Sequence, residues 1–134
     1  MAVQMSGRSL NFTSVELTHG PSGLKIKTTA PLDNGGDGTS FSPTDLCAAS
    51  LGACATTIMM IYAQRQNIPL EIEFSVEKNM AAAPRRISKI ALRYVLKTQC
   101  SEEDFQKIVN AGQTCPVRKT LGEHVEVDEH YRRG

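Results

Sequence analysis

The sequence predicts an α+β protein in which antiparallel sheets wrap around one long central helix. Three features lead there. From Leu46 to Ala63 the chain carries no charged residue, and a helix that is apolar all round must be covered all round. Two stretches, 71–77 and 90–96, alternate apolar and polar residues as half-buried strands do. The order is strands, long helix, strands, short helices, strand, a segregated pattern rather than a βαβ alternation. A single domain, 1–134, is expected at the usual ~100–200 residues per domain.

The N-terminal part reads as a meander of two or three short strands. In SLNFTSVELT (9–18), Leu10 and Phe12 alternate in one phase and Val15 and Leu17 in the other. That break is expected to be a bulge or bend between Thr13 and Ser14. Gly20-Pro21-Ser22-Gly23 is a turn cluster, after which LKIKTT (24–29) resumes the alternation. The glycine-rich PLDNGGDGT (31–39) lacks the context of a phosphate loop and reads as a flexible approach to the helix.

The long helix should run from Ser42 to Asn67. Ser42 is placed to cap it, Pro43 fits the first helical position and Asp45 completes a capping box. Asn67 followed by Pro69 stops it. A membrane span needs roughly 20 mostly apolar residues. This run is diluted by Ser50, Gly52, Thr56, Thr57 and several alanines, with no basic cluster at its ends, so a core helix is expected.

After it, Ile72, Phe74 and Val76 face inward from one strand, with Glu71, Glu73 and Glu77 outward. AAAPRR (81–86) is a connection, and Ile90, Leu92, Tyr94 and Leu96 form the buried face of the next strand. Ser101 caps a helix with Glu102, Glu103 and Asp104 in its first turn and Phe105, Ile108 and Val109 on its buried stripe. Cys115-Pro116 opens a short helix through Leu121, and HVEVD (124–128) is a final strand before a basic tail. One small sheet cannot cover a helix of about 24 residues, some ~36 Å long. A homodimer is therefore expected, with the long helices near the interface.

With 15 basic against 14 acidic residues there is no broad field to attract nucleic acid or an anionic membrane, and neither is expected as a partner. The N-terminus, MAVQMSGRSLNF, has no apolar run behind a basic start. Four cysteines without such a signal suit a reducing, cytoplasmic setting.

Two of those cysteines have special settings. Cys115 stands before proline at a helix start, where free N–H groups favour a thiolate. Cys54 lies mid-helix among Gly52, Ala53 and Ala55, which leave room for a substrate or a second sulfur. A thiolate that attacks a peroxide becomes a sulfenic acid, and a neighbouring thiol can then capture it as a disulfide. Simple core packing is the competing reading, because free cysteine is often just buried.

SPTDLCAASLGACATT (42–57) and CPVRKTL (115–121), with the approach loop GGDGTSFSP (35–43), resemble the OsmC/Ohr family of organic hydroperoxide reductases. The resemblance spans essentially the whole chain. It implies an OsmC-like fold in an intertwined homodimer, with Cys54 as peroxidatic thiol and Cys115 as resolving thiol. It also implies no metal or organic cofactor, an organic hydroperoxide substrate, and an external dithiol as reductant, a lipoylated protein in some members.

Two positions depart from the family pattern. Thr44 follows the helix-start proline where the reductases carry glutamate, and Asp45 one residue later points about 100° away. The family's thiolate-stabilising arginine comes from the early strands, yet residues 9–30 hold none and Arg8 is the N-terminal candidate. These departures point to weak activity or another substrate, within the OsmC-like branch.

Cys47, on the Cys54 face, reads as helix packing with a minor role as an alternative sulfur partner. Cys100 lacks metal-site spacing, and His19, His124 and His130 read as surface residues. Arg85-Arg86 and Arg132-Arg133 read as solvated charges, and Met59-Met60 as core or pocket lining. Two other function classes stay open. One is a non-catalytic stress, redox-sensing or ligand-binding protein; the other is a hot-dog-type thioesterase using Asp45.

Overall fold

A computed structural model describes all residues, Met1–Gly134. The chain is α+β, with two three-stranded sheets and three α-helices. It gathers into two compact units, Met1–Leu46 and Cys47–Gly134, and each has its own internal logic.

In the first unit β1 (Met5–Ser9), β2 (Ser14–His19) and β3 (Lys25–Thr29) form an antiparallel meander. The expected bulge or bend is a bend: residues 10–13 connect β1 and β2 as a hairpin. The Asn11 side chain accepts from the Thr13 N–H at 2.9 Å and from its hydroxyl at 3.2 Å, a local turn that outcompetes the ladder. Phe12, expected on a strand, stands fully exposed at the tip. In the approach loop Gly36 has no alternative: a Cβ there would lie 1.5 Å from the Ala30 carbonyl oxygen. The capping box forms as expected. Ser42 N–H donates to Asp45 Oδ2 at 2.9 Å, and Asp45 N–H donates to Ser42 Oγ at 3.1 Å.

Helix α1 runs Pro43–Arg65. It is long and apolar enough to cross a membrane by length and composition alone, but Ala48, Leu51, Ala55 and Met59 belong to a packed core. The helix is not covered all round within one chain. Ala53, Thr57, Met60 and Ile61 are exposed, so burial is confined to one face.

In the second unit β4 (Glu71–Ala82) and β5 (Arg85–Lys97) make a long antiparallel hairpin with a bulge at Asn79/Met80. The strands reach further than the alternation suggested, so the 81–86 connection shrinks to Ala83-Pro84, joined by a cis peptide. On β5 Ile90, Leu92, Tyr94 and Leu96 are buried, as their period demands. Phe74 on β4, expected inward, is partly exposed.

Helix α2 (Glu102–Gly112) starts at Ser101, whose hydroxyl accepts from Asp104 N–H at 3.1 Å. Helix α3 (Pro116–Leu121) starts at Cys115. The last strand, β6 (Glu126–Arg133), extends through what reads in sequence as a basic tail and pairs with β5 in parallel. Arg133 is accordingly no free tail charge. It donates to the Thr98 carbonyl and to Glu102, and lies 4.8 Å over the Phe105 ring.

Candidate active site

The sequence singles out Cys54 and Cys115, and the fold brings them together in the second unit. Cys115 is fully buried in the core, and Cys54, half-buried on α1, packs against that same core. Both are free thiols, and Cys54 packs on the core that holds Cys115, near enough to raise the Cys115 thiol. The small residues explain the approach. A Cβ on Gly52 would sit 2.4 Å from the Phe74 ring and 3.2 Å from Leu92, so this turn of α1 lies directly on the sheet.

Cys115 also serves as the N-cap of α3, its sulfur accepting from Arg118 N–H at 3.3 Å. The helix start was expected to favour a thiolate there. Burial instead wins: it pushes the Cys115 thiol up, and proximity to Cys54 pushes the same way, against the pull of the Arg118 and Val117 N–H groups. Desolvation of a charge in the core outweighs what a six-residue helix offers.

Strand pairing builds the rest of the site. Tyr94 of β5 and Tyr131 of β6 are register partners in the parallel ladder, so their side chains leave the same face. Their rings stack with centroids 4.7 Å apart and planes 6° apart. Glu129, two residues before Tyr131, shares that face. It accepts from the Tyr131 hydroxyl at 2.6 Å and from the Arg118 guanidinium, and its side chain is only 9% exposed. Phe74 packs obliquely on Tyr94 with centroids 5.9 Å apart.

Tyr94 is 1% exposed and its hydroxyl has no hydrogen-bond partner. Burial pushes its phenol well above the ordinary tyrosine range; the charges of Cys115 and Cys54 add to this, and Arg118 opposes it. Tyr131 is likewise pushed up, first by burial and then by Tyr94.

Arg118, Glu129 and Tyr131 are absent from the sequence reading, and Tyr94 enters it only as core. A signal existed: the alternation of Val125 and Val127 continues in phase through Glu129, Tyr131 and Arg133. Arg8, the N-terminal candidate for the thiolate-stabilising arginine, pairs with Glu16 at 3.1 Å across the β1–β2 ladder. Cys47 is half-buried on α1, and Cys100 packs at the core's edge after β5. His19, His124 and His130 are exposed. No three His, Cys, Asp or Glu side chains converge as metal ligands would.

The profile of the OsmC family, described as OsmC-like protein, matches residues 36–130. No curated protein sequence matches the chain. Among solved structures, a Psychrobacter arcticus protein named for an osmotic stress induced and detoxification response is 30% identical. It superposes with a TM-score of 0.92 over 98% of this chain and 97% of its own. The organic hydroperoxide resistance protein OsmC of Legionella pneumophila is 23% identical, with a TM-score of 0.73 over 98% and 96% of the two chains. The organic hydroperoxide resistance protein OhrB of Bacillus subtilis, also 23% identical, gives 0.64 over 98% of each. At that identity the last two share the fold. The profile match covers both cysteines and most of the chain: this protein belongs to the OsmC-like family.

Proposed function

We propose that this protein is a peroxide-stress enzyme, a thiol peroxidase that reduces organic hydroperoxides through Cys54 and Cys115. The observation that carries the reading is a half-buried thiol, Cys54, packed on the same core that holds the fully buried thiol Cys115. In the first step the Cys54 thiolate bonds to the terminal peroxide oxygen and the O–O bond breaks. Its electron pair leaves on the alkoxide, which takes up a proton and departs as alcohol. Cys54 is then a sulfenic acid. The Cys115 thiolate attacks that sulfur, hydroxide leaves, and a disulfide remains for an external dithiol, such as a lipoylated protein, to reduce by exchange.

The same reading includes a single domain completed by a second copy of the chain, acting in the cytoplasm. Two uncovered apolar faces support the homodimer. One is the exposed side of α1 with Met60 and Ile61; the other is the meander face with Met5, Leu24 and Ile26. Contiguous apolar surface of this kind commonly marks an interface.

The test is stopped-flow consumption of cumene hydroperoxide by the reduced protein with a dithiol. Loss of consumption in Cys54→Ser and a Cys54–Cys115 disulfide by mass spectrometry are the expected results. If Cys54→Ser reacts as fast as the parent, the mechanism is wrong. One observation favours a second reading, a redox sensor. Burial raises the Cys115 thiol, which slows resolution and prolongs the sulfenic acid. Stoichiometric oxidation without turnover would select it.

A further inference from the structure

We propose that Tyr94 is a catalytic residue of this site, its hydroxyl binding the peroxide oxygen that becomes the alkoxide. The inference rests on the thiol peroxidase reading and names a group which that reading does not require.

A buried tyrosine hydroxyl normally finds a partner, because an unmet one forfeits its hydrogen bonds to water. Tyr94 breaks that rule at 1% exposure. Its place in the fold explains why the hydroxyl is held there. The ring is stacked on Tyr131 and flanked by Phe74, so the hydroxyl cannot swing toward another partner. The neighbouring polar groups are already engaged with one another: Tyr131 donates to Glu129, and Glu129 holds Arg118. Tyr94 alone in this cluster keeps a free O–H.

Tyr94 and Cys115 belong to one buried cluster, and Cys54 packs against it. Charge on either Cys115 or Cys54 is felt at the Tyr94 phenol, and so is the Arg118 guanidinium. Burial keeps the phenol protonated far above neutral pH, so it acts as a donor throughout the working range. A donor fixed in the core against which the attacking sulfur packs binds an oxygen more tightly as that oxygen gains negative charge. As Cys54 sulfur bonds to the terminal oxygen of ROOH and the O–O bond breaks, the electron pair goes to RO⁻. The Tyr94 hydroxyl donates to that oxygen and keeps its own proton, while the alkoxide is protonated on leaving.

Tyr94→Phe tests this in the full-length reduced protein. The variant keeps the ring and removes only an unpartnered hydroxyl, so its melting temperature should equal or exceed the parent's. The second-order rate of Cys54 oxidation by cumene hydroperoxide should fall at least fivefold. Alkylation of Cys54 by iodoacetamide, which has no peroxide oxygen to bind, should stay within twofold when followed by mass spectrometry of the Cys54 peptide. A hydroperoxide rate reduced less than fivefold overturns the proposal. So does a fall in alkylation that matches the fall in peroxide rate, because Tyr94 would then act on the thiolate. If the parent itself consumes no hydroperoxide, the thiol peroxidase reading fails and this inference falls with it. A parent that reacts and a Tyr94→Phe variant that reacts equally well sink the inference alone.

Discussion

The Arg118 backbone N–H donates to Cys115 Sγ at 3.3 Å, so the buried thiol is also the cap of the helix that carries the arginine. Position and chemistry are thereby joined in one atom. Replacing an N-cap side chain by alanine costs about 0.5–2 kcal/mol. Cys115→Ala should therefore lower stability by about 1 kcal/mol in urea unfolding, and Cys115→Ser, which can still accept from Arg118, should fall between it and the parent. Both variants should accumulate a dimedone-reactive Cys54 after hydroperoxide treatment, where the parent forms a disulfide. Equal stability of the alanine and serine variants would show that the cap bond contributes nothing.

The raised Cys115 thiol sets a pH dependence. Below the ordinary thiol value both folded and unfolded chains keep the proton. Between that value and the raised one, the unfolded chain ionises and the folded chain does not. The unfolded state then binds fewer protons, so stability falls as pH rises. The reduced parent should begin to lose stability above about pH 8.5, and Cys115→Ala should show a shallower decline. Tyr94 and Tyr131, both pushed up by burial, add a second loss above about pH 10. Urea midpoints between neutral and alkaline pH, with reductant present, read both stages. A flat profile in the parent would contradict the burial of Cys115.

Arg118 and Glu129 are unequal partners. The Glu129 side chain is 9% exposed and Arg118 37%, so removing Arg118 strands the more buried charge, whereas removing Glu129 leaves an arginine that can turn to water. Leaving a buried acceptor short of one partner costs about 1–3 kcal/mol, and Glu129 keeps its bond from Tyr131. Arg118→Ala should fall in that range, and Glu129→Gln, which can still accept from Tyr131, should cost less. The double variant should cost less than the sum of the two. Strict additivity in urea denaturation would mean that the pair is uncoupled.

The sequence reads well wherever one local pattern decides the outcome. The Ser42–Asp45 box, the Ser101 cap and the period-2 face of Ile90 to Leu96 are each fixed by neighbours a few residues away, and each forms as expected. What it hides is long-range. The parallel register that sets Tyr131 on Tyr94 joins strands separated by two helices, and no local period announces it. Nothing near Arg118 in the chain points to its partner, because Glu129 comes from that strand. Phe12 is the exception near the N-terminus: Asn11 makes a turn of its own, stronger than the weak alternation around it.

Gly52 offers the sharpest packing test. A helix-interior glycine replaced by alanine gains up to about 1 kcal/mol of propensity, so a variant that loses stability must be losing it to contact. A Cβ at Gly52 would lie 2.4 and 2.7 Å from two atoms of the Phe74 ring. A ring is stiff, and this one packs on Tyr94. Gly112 is the control, since its Cβ would meet Met59 Cγ at 2.7 Å and Sδ at 3.0 Å, and methionine has rotatable bonds with which to yield. Overpacking costs about 1–3 kcal/mol. Gly52→Ala should show a net loss within that range, with a changed near-ultraviolet tyrosine signal as Phe74 is forced off Tyr94. Gly112→Ala should lose less and leave the tyrosine signal as it is. Because Gly52 lies half a turn from Cys54, the first variant should also change the Cys54 oxidation rate, and the second should not. If Gly52→Ala proves as stable as the parent, the helix does not lie as close to the sheet as the ring contacts require.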